Sequence, residues 1–110
     1  MTYVIDTRLL ADHLRAEPQA TAAFEAALRS GRRVAGSVLS RIELRAAAGN
    51  ADVSAVEALE LVVDWVPVDH EIADIATRHA ERDGGAHDTL AYVIAATAER
   101  LGADLLSPPY

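Results

Sequence analysis

Three carboxylates stand at positions where they could do chemistry together. Asp6 follows the apolar run "YVI", Glu43 lies between Ile42 and Leu44, and Asp88 opens a long helical segment after "GGAH". Carboxylate oxygens from three separate elements would form a hard oxygen site suited to Mg²⁺ or Mn²⁺. Such ions orient water and stabilise the in-line displacement of a phosphodiester. The first chemistry to consider is therefore metal-assisted phosphodiester cleavage.

Each of these carboxylates also has a purely structural interpretation. Asp6 and Asp88 both precede helical segments, where aspartate is a favoured N-cap. Glu43 can be the solvent-facing residue of a half-buried helix, paired with a neighbouring arginine. Residue type and position alone leave both interpretations open.

The elements that must position these residues alternate between strand and helix. Apolar runs predict strands at 3–6, 33–36, 64–68 and 103–106, and helical spacing predicts helices at 7–15, 18–30, 38–48, 52–63, 69–83 and 88–101. Pro67 in the third strand predicts an edge or a strand end, because proline cannot donate a ladder hydrogen bond. The alternation predicts an α/β fold, with a central, mainly parallel sheet flanked by helices in a single domain over 1–110. Asp6 would then lie at the carboxyl end of a strand, where functional groups of such sheets gather.

The composition of the chain argues against several classes of protein and of binding site. The net charge is -7 and all ten basic residues are arginine, which argues against a generic polyanion binder. Any contact with nucleic acid must be local or helped by bound cations. The lack of cysteine excludes disulfides and thiolate metal sites and fits a reducing cytoplasm. No apolar run is long enough to cross a bilayer and no export signal is visible, so we expect a cytoplasmic protein with no membrane partner.

Three stretches, taken in order, resemble one family. "VIDTRLL", "GSVLSRIELRAA" and "IAATAERLGADLLS" resemble the PIN-domain family, and in particular the VapC-type ribonuclease toxins of bacterial type II toxin–antitoxin systems. The resemblance covers nearly the whole chain. It implies a PIN-like three-layer fold and a Mg²⁺- or Mn²⁺-dependent endoribonuclease that cleaves RNA with metal-activated water. It also implies a homodimer and neutralisation by a small VapB-type antitoxin.

The resemblance assigns roles to individual residues. Asp6 and Glu43 match the family's metal ligands, and Asp88 is the candidate for the third. The resemblance implies that all three are also the catalytic residues. Ser37, which is also a predicted N-cap, matches a small hydroxyl residue that precedes the glutamate. Thr7 matches the residue after the first aspartate, where it could support the site.

The chain departs from the family pattern in three places. Arg8 stands where the family has Ser or Asn, and could contact RNA phosphate or obstruct the metal. The family's late aspartate would fall on Ala91, three residues after Asp88, although three residues turn a helix by about 300° and leave both on roughly one face. The ending "LLSPPY" offers no fourth acid, which predicts a shortened C-terminal element. His87 is either an RNA contact or only a loop residue.

These departures keep two further hypotheses open. One is a catalytically degenerate PIN-like domain that acts only as an antitoxin-binding or dimerisation module. The other is an unrelated small α/β domain in which all three acids cap helices.

Overall fold

The computed structural model describes residues 1–48 and 53–110. The strands are β1 (Thr2–Ile5), β2 (Arg33–Ser37), β3 (Asp64–Val66) and β4 (Asp104–Leu106). The helices are α1 (Thr7–Leu14), α2 (Pro18–Arg29), α3 (Val38–Ala48), α4 (Val53–Val62), α5 (His70–Arg82) and α6 (Thr89–Leu101). Every predicted element is present, with ends that differ by one or two residues. The predicted start of α4 at Asp52 lies outside the described residues, as does the Gly49-Asn50 pair that would stop the helix predicted at 38–48.

The four strands form one parallel sheet in the order β3-β2-β1-β4. Val4 of β1 pairs with Ala35 of β2 on one side and with Leu105 of β4 on the other. β3 is an edge strand, as Pro67 predicted. β1 and β2 are therefore the two central strands, and the helices that follow them, α1 and α3, both start from the same edge of the sheet.

The sheet separates two hydrophobic clusters, because successive side chains of a strand point to opposite faces. Val4 packs with the buried faces of α5 and α6, including Ile72 and Val93. Ile5 packs on the other side with α1, α2, α3 and α4, including Leu10 and Phe24. The predicted α/β architecture is confirmed: a parallel sheet forms the middle of three layers, with helices on both of its faces.

Local chemistry explains where the helices begin and end. Glu17 caps α2 by accepting the amides of Gln19 and Ala20, and Pro18 occupies the first turn, where no amide is needed. Gly102 ends α6 with a φ of 60°, a left-handed conformation that glycine adopts without cost. The buried face of α2 consists of Ala20, Phe24 and Ala27, whereas Leu28 is 39% exposed.

Within the described ranges, no helix combines the length and the apolar character needed to cross a membrane.

Candidate active site

One cleft at the carboxyl end of β1 collects the predicted residues. It has a volume of about 310 Å³, and its walls come from the start of α1, from α3, and from the loop and first turns of α6. Its lining includes Asp6, Thr7, Arg8, Glu43, His87, Asp88 and Ala91. All three carboxylates chosen from the sequence therefore face a common space, although more than thirty residues separate each from the next in the chain.

Asp6 is the most firmly held of the three carboxylates. It is only 9% exposed, and its amide N–H donates a hydrogen bond of 2.9 Å to the carbonyl oxygen of Leu106 in β4. Its Oδ1 accepts the Arg8 amide at 3.0 Å and so caps α1. Its Oδ2 accepts the Arg8 guanidinium, also at 3.0 Å. Asp6 thus caps a helix and lines the cleft at the same time, and the two interpretations of its role do not exclude each other.

Asp88 combines the same two roles at the start of α6. Its Oδ1 accepts the amide of Ala91 at 2.9 Å, which is the geometry of an N-cap. This capping bond occupies only one carboxylate oxygen. Ala91 lines the cleft as well, as expected for two residues on roughly one face of the helix. Position 91, where the resemblance places the late acid of the family, therefore lines the cleft and carries a methyl group.

Glu43 extends from the exposed side of α3 towards the cleft. The interpretation that it pairs with a neighbouring arginine was wrong within the described part of the chain. Arg41 and Arg45 bind Glu60 of α4 instead, with N–O distances of 3.2 and 2.6 Å. This leaves the Glu43 carboxylate facing the cleft without the arginine partner that its helix could have provided.

A buried pair of hydroxyl groups connects the helices that carry Asp6 and Glu43. Thr7 donates a hydrogen bond of 2.6 Å to Ser40, which is fully buried. Ser37, the predicted N-cap of α3, is the last residue of β2, and its hydroxyl oxygen accepts the Leu39 amide at 3.2 Å. Sequence reasoning missed Ser40. Its signal was a hydroxyl residue four positions before Leu44, on the face of α3 that must be buried.

The wall of the cleft that carries His87 and Asp88 depends on a tyrosine. The Tyr92 hydroxyl donates to Asp83 and accepts the His87 amide at 3.0 Å, so it fixes both ends of the 83–87 loop. The hydrogen bond from Tyr92 lowers the pKa of Asp83, helped by the amides of Ala86 and Gly85. Burial, followed by the bond to Asp83, raises the pKa of Tyr92. The sequence carried no signal for this contact, because the tyrosine also fits the core-facing pattern of α6.

The donor atoms of the cleft are of the type that Mg²⁺ prefers, namely carboxylate oxygens. In the ranges 1–48 and 53–110, no group of three or more His, Asp and Glu side chains is arranged to hold an ion directly. Mg²⁺ commonly keeps several waters and binds through only one or two carboxylates. The cleft therefore fits an ion held by few direct protein ligands, with water bridging to the remaining carboxylates.

Comparisons with known proteins show the family and the fold of the chain. Residues 3–107 match the family model described as the PIN domain. Ribonuclease VapC19 of Mycobacterium tuberculosis is 39% identical over 107 residues, which span 94% of this chain and 86% of that protein. A toxin–antitoxin complex from Klebsiella pneumoniae contains a similar chain, with a TM-score of 0.81 and 19% identity over 96% of this chain and 84% of that one. The structure of VapBC2 from Rickettsia felis, bound to a DNA fragment from its promoter, also contains a similar chain. Its TM-score is 0.80 and its sequence identity 14%, over 97% of this chain and 86% of that one.

Proposed function

Because the chain belongs to the PIN-domain family, we propose that it is a VapC-type endoribonuclease toxin whose activity depends on Mg²⁺ or Mn²⁺. One observation carries the proposal. The three carboxylates selected from the sequence, Asp6, Glu43 and Asp88, line a single cleft. The 39% identity to a protein named as a ribonuclease supports the substrate class, and RNA as substrate is consistent with action in the cytoplasm.

The residues of the cleft have different proposed roles, which follow from their surroundings. Asp6, Glu43 and Asp88 would hold the ion together, one or two of them directly and the others through bridging water. When bound, the ion would polarise a phosphate and activate water. Asp6 has a fixed direction because its backbone and both carboxylate oxygens are hydrogen-bonded. Asp88 lies at the N-terminus of α6, where one of its two carboxylate oxygens accepts the capping hydrogen bond from Ala91. Arg8 and His87 supply N–H donors for RNA phosphates at an otherwise acidic cleft.

The test is RNA cleavage by the purified protein with Mn²⁺, with variants that keep the size of each side chain. Asp6→Asn and Glu43→Gln should each reduce cleavage by about a hundredfold or more, since each removes charge at the metal. Asp88→Asn should have a smaller effect, because asparagine can still cap α6. Glu57→Gln, on the exposed side of α4, is the matched control and should cleave normally. Full activity of Asp6→Asn would contradict the proposal.

We also propose a small VapB-type antitoxin as partner, and a homodimer as the toxin's own assembly. The similar solved structures support the antitoxin, since they include a toxin–antitoxin complex from Klebsiella pneumoniae and VapBC2 of Rickettsia felis. Expression of the chain alone should arrest growth, and co-expression of its antitoxin should restore it. Light scattering on the purified toxin should give twice the mass of 11.7 kDa.

A binding-only module remains the second candidate function. Two observations favour it. The Arg8 guanidinium forms an ion pair with the Asp6 carboxylate, and the cleft has Ala91 at the position where the resemblance predicts an acidic residue. The two candidates differ in one measurement. A binding-only module would form the antitoxin complex normally while neither binding Mn²⁺ nor cleaving RNA.

A further inference from the structure

The guanidinium of Arg8 lies on the carboxylate that the proposed metal needs. Its terminal nitrogen is 3.0 Å from Asp6 Oδ2, while the Arg8 backbone amide is 3.0 Å from Oδ1. Residue 8 therefore engages both oxygens of one aspartate, once through its backbone and once through its side chain. Both residues line the cleft.

A divalent ion bound to Asp6 and the ion pair between Arg8 and Asp6 would weaken each other. A Mg²⁺ ligand oxygen lies about 2.1 Å from the metal, and a guanidinium on the same oxygen would be brought close to a second cation. Two cations so close repel each other strongly in a partly buried site. The bond from the Arg8 amide does not conflict in this way, since it occupies Oδ1 and carries no net charge.

The two ends of the ion pair differ in their freedom to move. The Asp6 side chain is 13% exposed and has a fixed backbone, whereas the Arg8 side chain is 69% exposed. Exposed ion pairs contribute only about 0–1 kcal/mol, so a stronger ligand can displace the arginine at small cost. The capping bond of α1 runs from the Arg8 backbone amide to Asp6 Oδ1 and does not involve the guanidinium, so it survives that displacement.

We propose that Arg8 is a tethered cation that competes with the divalent ion for Asp6, so that metal binding and release of the Arg8 side chain are one linked step. This inference rests on the proposed metal-dependent function. It assigns a role to the residue that departs from the family pattern: Arg8 neutralises Asp6 before the metal binds, and thereby weakens metal binding.

The experiment is a titration of the purified protein with Mn²⁺ alone, with free Mn²⁺ measured by electron paramagnetic resonance. Arg8→Gln should bind Mn²⁺ about fivefold more tightly than the unmodified chain, the scale set by an exposed ion pair. The control is Arg29→Gln, which makes the same charge change at a side chain that is 72% exposed and pairs with Glu25 on α2. Its affinity should equal that of the unmodified chain. The melting temperatures of both variants verify folding.

A double-mutant cycle with Asp6→Asn isolates the contact. With Asp6→Asn already present, Arg8→Gln should no longer improve Mn²⁺ binding. If the unmodified chain and Arg8→Gln bind Mn²⁺ equally tightly, and Asp6→Asn abolishes this binding, the proposed role of Arg8 is overturned. The metal site itself would then still be supported. If neither the unmodified chain nor Arg8→Gln binds Mn²⁺, the metal-dependent function fails and this inference fails with it.

Discussion

The hydroxyl groups of Thr7 and Ser40 form a buried hydrogen bond of 2.6 Å between the first turn of α1 and the first turns of α3. Thr7 directly follows Asp6, and Ser40 lies one turn before Glu43. This bond therefore connects the two helices that bring the first two carboxylates to the cleft, at a depth where water cannot replace it.

Thr7→Val should destabilise the protein, because it keeps the shape of the side chain and removes the donor to a fully buried oxygen. The expected loss in the free energy of unfolding is about 1–3 kcal/mol, measured by urea denaturation. Thr77→Val is the control, since Thr77 is exposed and bonds only within its own helix, to Ala73. Its effect should stay within about 0.5 kcal/mol. Equal effects of the two variants would show that the Thr7–Ser40 bond does not hold the helices.

Ala91→Asp should strengthen the site by placing a carboxylate where the cleft now has a methyl group. An aspartate in the first turn of α6 is also favoured by the helix dipole, so the fold should tolerate it. Because the number of charged ligands sets the affinity of oxygen sites, Mn²⁺ should bind several-fold more tightly and RNA cleavage should increase. Ala95→Asp, one turn further along α6 and not among the cleft residues, should give no gain. Unchanged binding in Ala91→Asp would place residue 91 out of reach of the ion.

Tyr92→Phe should loosen the 83–87 loop, because it removes the donor to Asp83 and the acceptor of the His87 amide. We expect a fall in the melting temperature of about 5 °C at pH 7, the scale of one hydrogen bond in a domain of this size. Mn²⁺ affinity should fall with it, since Asp88 follows this loop.

The difference in melting temperature between Tyr92→Phe and the unmodified chain should depend on pH in a definite direction. The pKa of Asp83 is lowered from its ordinary value of 3.8, so its contribution to stability is present above 3.8 and is lost as the pH falls through the lowered value. The difference in melting temperature between Tyr92→Phe and the unmodified chain should therefore be largest above pH 4 and shrink in more acidic solution. Asp83→Asn should abolish most of this pH dependence. A difference that grows towards acid would contradict the assignment.

Gly36→Ala should destabilise the sheet where β2 meets β3. A Cβ atom at residue 36 would lie 3.0 Å from Cζ3 of Trp65 and 3.2 Å from Cγ1 of Val63. Such overpacking costs about 1–3 kcal/mol, measurable by urea denaturation. Trp65→Phe removes the ring atom in closest approach, so the double variant should recover part of the loss. Full stability of Gly36→Ala would mean that the indole ring moves freely.

Much of this structure was predictable because its signals are local. The strand and helix order, the edge position of β3 and the capping residues Asp6 and Asp88 follow from periodicity, proline chemistry and side-chain capping. The parallel sheet then places Asp6 at its carboxyl edge without further information. The common cleft for Asp6, Glu43 and Asp88 was predicted through the family resemblance rather than from spacing alone.

What escaped prediction depends on contacts between distant segments. Nothing in the sequence around Tyr92 distinguishes a tyrosine that fixes a loop from one that only fills the core. The choice of Arg41 and Arg45 between Glu43 and Glu60 is likewise decided by how α3 packs against α4. Local sequence showed that Arg8 was unusual, but its position on Asp6 became visible only in three dimensions.

The backbone bond between Asp6 and Leu106 has a consequence for the order in which the chain is synthesised. Leu106 follows Asp6 by 100 residues (106 minus 6), and its carbonyl group accepts the amide of Asp6. A ribosome adds residues from the N-terminus, so the first carboxylate of the cleft emerges early and lacks this support until β4 has left the exit tunnel. Completion of the cleft therefore waits for β4, which follows the other described strands in chain order.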